Sequence, residues 1–242
     1  MDTSFWLQCN PKITVDHTAK KYFGQYLYKL VIYAPAGRLI DSKGSMTDAL
    51  EHRRTVHKNI NHAGWWGHRY QKDLDNADTD LLNKLRDIRH DRSLGLKLRV
   101  EEPRVQIYAT TEQQLQNLVN AHFAKWKQSI EGFSGPEDAD AEAVLNTGAI
   151  IRKNDVGYRY KIILKDGRYE NDTKQQILNY LLNLGPDEIK MSSTAIQTLS
   201  KSSNYIWNLY FYANDTRITN FLELISPGII SNTHELIVMP HK

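Results

Sequence analysis

The strongest constraint on the fold of this chain is a pattern that it carries twice. Tyr26-Leu27-Tyr28-Lys29-Leu30-Val31-Ile32 returns as Tyr158-Arg159-Tyr160-Lys161-Ile162-Ile163-Leu164, at an offset of 132 residues. Later in each half, Val105-Gln106-Ile107-Tyr108-Ala109 is echoed by Leu209-Tyr210-Phe211-Tyr212-Ala213, at an offset of 104. The two echoes keep their order, so the chain reads as two copies of one unit. Its 242 residues are enough for two modest domains.

Local signals give each copy the order strand, helix, strand, strand, helix, strand. Residues 26–33 and 158–164 are rich in Tyr, Val and Ile, which suit a pleated surface. In the second copy, Lys165-Asp166-Gly167 reads as a turn, and Asp172-Thr173 as the cap of a helix. That helix presents Ile177, Leu178, Leu181 and Leu182 on one face and ends at Gly185-Pro186. A short strand is expected near Glu188 to Met191 and a longer one over 205–212. Asp215 then caps a helix with Ile218, Phe221, Leu222 and Ile225, before a closing strand from His234 to Met239. The first copy shows a helix from about Thr47 that carries Met46, Ala49, Leu50, Val56 and Ile60. Strands follow near 96–100 and 104–109, then a helix over 111–124. The sum, β-α-β-β-α-β, is the split βαβ unit. The expected class is α+β: two tandem ferredoxin-like units, the first with a basic helical insertion.

The expected boundaries are 1–132 for the first unit, 133–148 for an acidic linker and 149–242 for the second. Between Glu131 and Glu142 lie five acids, two glycines and a proline, the composition of a linker. Ala149 to Lys153 and Tyr158 to Leu164, joined through Asn154-Asp155, also read as a hairpin.

The offsets place the insertion. From Tyr28 to Tyr108 is 80 residues but from Tyr160 to Tyr212 only 52, which leaves 28 extra residues in the first unit. Residues from about 61 to 91 fill that slot, with a helix from Asp78 to about His90 whose Leu81, Leu82, Leu85 and Ile88 face inward. From His52 to Lys72 there is no acid, while Arg53, Arg54, Lys58, Arg69 and Lys72 accompany Trp65, Trp66 and Tyr70. Cations interleaved with flat rings suit a phosphate backbone with unstacked bases. The expected nucleic-acid contacts are therefore Arg53, Arg54, Lys58, Trp65, Trp66, Arg69, Tyr70 and Lys72. Two other readings of the same residues stand beside this one. The tryptophans can anchor the insertion to the core, or the surface can meet a protein. The tyrosine pairs 26/28, 158/160 and 210/212 alternate along strands, so each pair is expected on one sheet face. RNA-binding domains of this topology stack bases on such aromatics, but their basic-aromatic strand signature is absent here, and packing of these tyrosines in the core or against a neighbouring module is the preferred reading.

Most catalytic chemistry lacks its motif. The window holds four of the nine histidines, at spacings of 5, 5 and 6, against the three or four that a helical zinc site favours. A single cysteine, Cys9, excludes a thiolate cluster and an internal disulfide, as expected of a chain kept inside the cell. Phosphate-binding glycine loops and a Gly-x-Ser-x-Gly elbow are missing. Asp73, Asp75, Asp78 and Asp80 lack the glycine and glutamate of a calcium loop, so helix capping and charge balance account for them. No cofactor or metal is expected, and neither a signal peptide nor a membrane span. Net charge is only +3, so overall charge names no partner.

In predicted topology, with a histidine-bearing inserted region, the chain resembles the CRISPR repeat-cleaving endoribonucleases. That resemblance implies metal-independent RNA cleavage with His57, His62 or His68 as general base. The long glycine-rich loop of those enzymes is reduced here to Ser226-Pro227-Gly228. The leading expectation is a non-enzymatic protein that binds RNA or single-stranded DNA, or that assembles nucleoprotein. The alternative is a scaffolding subunit, such as one of a viral particle, that meets copies of itself or a protein partner.

Overall fold

A computed structural model describes residues 3–59 and 72–239, with the side chains of 57–59 excepted. The chain divides into units 1–142 and 143–242. In the first, helix α1 (Ser4–Cys9) and strand β1 (Thr14–His17) precede β2 (Tyr28–Tyr33), α2 (Met46–Asn59) and α3 (Thr79–His90). Then come β3 (Lys97–Glu101), β4 (Arg104–Ala109), α4 (Glu112–His122) and β5 (Ile130–Gly135). The sheet order is β1-β5-β2-β4-β3. Its four members β5-β2-β4-β3 are antiparallel in the ferredoxin-like order, and β1 is added parallel to β5.

Alternation along β2 sets the two faces. Tyr28, Leu30 and Ile32 are buried, while Lys29, Val31 and Tyr33 are half-buried on the other side. The buried face shares its core with Val105, Ile107, Leu115, Val119 and Phe133. Trp6 closes this core: it is fully buried, its ring stacks on Phe133 at 4.1 Å, and its Nε1–H donates to Glu112 at 2.8 Å. A reciprocal cap between Thr111 and Gln114 starts α4. Asp78 starts α3 by accepting from the backbone N–H groups of Asp80 and Leu81, and Leu81, Leu82, Leu85 and Ile88 are buried as their spacing predicts.

The stretch that composition marks as a linker is ordered differently. Phe133, Ser134 and Gly135 are the buried end of β5, because Phe133 fills the core beneath Trp6. Beyond them Asp138 accepts from the N–H of Ala141, and helix α5 (Ala139–Asn146) follows. Asp140 and Glu142 lie in its first turn, where a negative charge favours the helix dipole. The division between units falls within this helix.

The second unit runs β6 (Ile150–Arg152), β7 (Tyr160–Leu164), β8 (Gly167–Arg168), α6 (Asn171–Leu182), β9 (Ile189–Lys190) and α7 (Ser193–Ser200). It continues with β10 (Tyr205–Ile206), β11 (Tyr210–Ala213), α8 (Arg217–Ile225) and β12 (Ile230–Val238). Its main sheet has the order β6-β12-β7-β11-β9, and β8 pairs with β10 in a separate ribbon. The expected hairpin of β6 with β7 does not form. Both edges of β7 are taken, by β12 and β11, so β6 pairs in parallel with β12 at the sheet edge. Ile162, Leu164, Ile177, Leu181, Leu199, Phe211 and Leu222 form the core.

Each sheet is therefore the four-strand ferredoxin-like order plus one preceding edge strand parallel to the last. The central registers also correspond: Lys29 lies opposite Tyr108 as Lys161 lies opposite Tyr212, and Tyr28 opposite Ala109 as Tyr160 opposite Ala213. The molecule is an α+β protein with two mixed five-stranded sheets. Among the described residues no helix is long and apolar enough to cross a membrane.

Candidate nucleic-acid interface

In the second unit, Ile162, Leu164, Phe211 and Ala213 point into the core. Strand alternation then brings Lys161, Ile163, Tyr210 and Tyr212 to the opposite face. Their register gathers them into a block, with Tyr210 opposite Ile163 and Tyr212 between Lys161 and Lys190. All four are half-buried and Lys190 is exposed. The Tyr210 and Tyr212 rings are 5.6 Å apart, and Tyr158 stacks on Tyr212 at 6.4 Å with 25° between planes. The Lys161 ammonium sits 3.7 Å from the centre of the Tyr210 ring, a cation–π contact. His234 lies opposite Lys161 on β12, with its Nδ1 2.9 Å from the Gly148 carbonyl. Burial and the adjacent Tyr210 raise the Tyr212 hydroxyl above the usual tyrosine range, while Arg152 pulls it down. The result is a row of three rings with cations at its margins.

The corresponding face of the first unit is closed. Tyr108, the counterpart of Tyr212, is only 3% exposed. A turn closed by the Tyr22–Tyr26 bridge lies over it. Tyr22 is 5.2 Å from the Tyr108 ring, Phe23 meets it edge-on at 5.0 Å, and Tyr26 lies at 6.4 Å. Phe23 and Gly24, at φ of 52° and 71°, form the tight turn that carries this cover. Lys29 and Lys97 sit over the rings of Tyr22 and Phe23. Arg99 pairs with Glu101 at 2.8 Å and Arg104 with Glu131 at 2.6 Å. Burial pushes the Tyr108 hydroxyl up to about 12, against the pull of Arg99 and with Glu101 and Tyr22 adding to the rise.

Of the contacts expected from the acid-free window, three have described side chains. Arg54 is directed inward: its guanidinium donates to the Leu74 carbonyl at 3.0 Å and lies 3.5 Å from Glu51. Arg53 is exposed and lines a cavity of about 390 Å³ with Lys43, Ser45, Asp48 and His52. Lys72 is exposed, and the described residues 72–75 are helical. The side chains of His57 and Lys58, and all of His62, Trp65, Trp66, His68, Arg69 and Tyr70, lie outside the described residues. Among the described residues no three His, Cys, Asp or Glu side chains converge as a metal site would require.

The tyrosine pairs do not all share a face. Tyr210 and Tyr212 do, but Tyr160 packs against the core while Tyr158 lies against Tyr212. Tyr26 and Tyr28 part in the same way, toward Tyr108 and toward Phe133. Each first tyrosine precedes its strand and is free of the strand's alternation. Sequence reasoning passed over Lys161 and Lys190, although Lys161 belongs to the repeated Tyr-x-Tyr-Lys. The chain matches no protein-family model, and neither a curated protein nor a solved structure shows significant similarity to it.

Proposed function

We propose that this is a non-enzymatic protein that binds single-stranded nucleic acid, RNA or DNA, on the open sheet face of its second unit. The observation that carries this reading is the row Tyr158, Tyr212 and Tyr210 with Lys161 and Lys190 beside it. Aromatic faces take unpaired bases with little sequence demand, and the ammonium groups meet the phosphates. The shared topology and registers support an ancestral duplication in which the second copy keeps the open face. In this reading the basic window that contains Arg53 and Lys72, with Lys58, Trp65, Trp66, Arg69 and Tyr70, is a second contact region for nucleic acid.

Fluorescence anisotropy with labelled single strands, repeated across salt concentrations, tests the reading. Binding should weaken as salt rises, and Lys161→Ala should lower the log–log salt slope by about 0.7, the contribution of one phosphate. Tyr212→Ala should weaken binding by about 5- to 150-fold, the range for loss of one stacked base. No binding at low salt, or full affinity in Tyr212→Ala, refutes it.

A second reading has its own observation. Leu182, Phe221 and Leu224 on α6 and α8 are 54%, 45% and 81% exposed, and Phe221 stacks on Tyr180 at 4.1 Å. Apolar groups of this size at a helix surface suit assembly with a protein. Self-association at micromolar concentration that Leu224→Glu abolishes supports it, and a monomer that captures no partner counts against it.

A further inference from the structure

Beside the tyrosine row lies a cavity of about 350 Å³, at the small end of the range for ligand pockets. Its walls come from the first turns of α7, with Ser192, Thr194 and Thr198, and from the β10–β11 connection, with Trp207 and Asn208. Tyr210 lines it too, so the cavity adjoins the strand that carries the row.

Trp207 is 70% exposed and is steadied by its stack on Tyr205, with ring centres 6.0 Å apart and 29° between planes. An indole left in water forgoes the burial that core aromatic residues obtain, so packing does not explain its place. Asn208 holds the bend: its φ is 48° and its backbone N–H donates to Asp166 at 2.6 Å. The polar groups of the wall are complementary in kind. Ser192 Oγ accepts from the Ala195 N–H at 3.1 Å and keeps its own hydrogen to donate. Thr198 Oγ1 donates to the Thr194 carbonyl at 2.9 Å and keeps its lone pairs to accept. The Asn208 amide offers both a donor and an acceptor.

We propose that this cavity is a subsite for a single nucleobase of the bound strand. The inference rests on the reading of the sheet face as a strand platform. The base stacks on Trp207 and places its hydrogen-bonding edge against Thr194, Thr198 and Asn208. Its neighbours continue along the row toward Tyr212, and Lys161, above Tyr210, lies where the joining phosphates pass. The tyrosine row is indifferent to base identity, whereas a cavity with fixed donors and acceptors discriminates. Whatever base preference the protein has is therefore set here.

Binding of the full chain to homo-oligomers of A, C, G and U, by anisotropy at one low salt concentration, tests the subsite. The wild type should prefer one base by about tenfold or more. Trp207→Ala should lose about tenfold on that oligomer and bind all four within about twofold of one another, the loss expected of one stacked base. Thr194→Val, which keeps the shape of an exposed side chain, should also reduce the preference. Tyr212→Ala should instead weaken all four alike. A wild type without preference, or a Trp207→Ala variant that retains it, overturns the subsite and leaves the platform standing. Failure of every oligomer to bind the wild type overturns the platform and the subsite with it.

Discussion

Removing the cover from Tyr108 is a direct test of how the two sheet faces differ. The variant is Tyr22→Ala with Phe23→Gly; glycine accepts the φ of 52° at position 23, so the turn itself is kept. In the native protein Tyr108 is 3% exposed and its hydroxyl is pushed up to about 12, with burial as the leading cause. An unfolded tyrosine titrates near 10, so the folded state holds this proton over about two further pH units. At about 1.4 kcal/mol per unit this amounts to about 2–3 kcal/mol. The stabilisation is fully present below about pH 10 and disappears as pH rises through about 12. Uncovering the ring should bring its titration down toward 10 and flatten the dependence of stability on pH between these limits. At neutral pH the lost ring contacts should cost about 2–4 kcal/mol. Ultraviolet tyrosinate titration, with Tyr108→Phe to assign the late-titrating group, follows the first effect, and denaturant unfolding at a series of pH values follows the second. Tyr28 is raised as well, by burial and by Glu142, so the test is on the signal that Tyr108→Phe removes; if that signal stays near 12 in the double variant, the account of the cover is refuted.

Two further predictions concern the cores. Lys174 is fully buried and its ammonium donates to the carbonyls of Lys201, at the end of α7, and Ser203, so Lys174→Ala leaves two acceptors without donors and should destabilise the second unit by about 3–5 kcal/mol. A loss below about 1 kcal/mol in denaturant unfolding refutes this tie. Trp6→Ala removes a fully buried ring from Phe133 and a hydrogen bond from Glu112, and should cost the first unit about 3–5 kcal/mol; near-wild-type unfolding would show that α1 is dispensable to that core.

Much of the architecture is legible in local pattern, because period and caps are local quantities. The repeated Tyr-x-Tyr-Lys-apolar strand, the stripe Leu81, Leu82, Leu85, Ile88 behind its Asp78 cap, and Thr111 before α4 each act within a turn or a strand. The same locality misleads at Glu131 to Glu142. Five acids spell solvent, but Phe133 between them answers to Trp6, more than a hundred residues away, and the later acids serve the start of α5.

By itself the sequence determined the number of units, their class and the strands that correspond, since hydrophobic alternation leaves a strand only one way to face its core. Pairing partners are another matter. That β6 joins β12 rather than β7, and that β1 joins β5, follows from which edges remain open once the central strands have paired. The tertiary structure alone decided that Tyr108 is covered and Tyr212 is open, although the two stand in matching registers. Cover is supplied by a turn that reaches Tyr108 from Tyr22 and Phe23, and no residue beside Tyr108 in the chain encodes it.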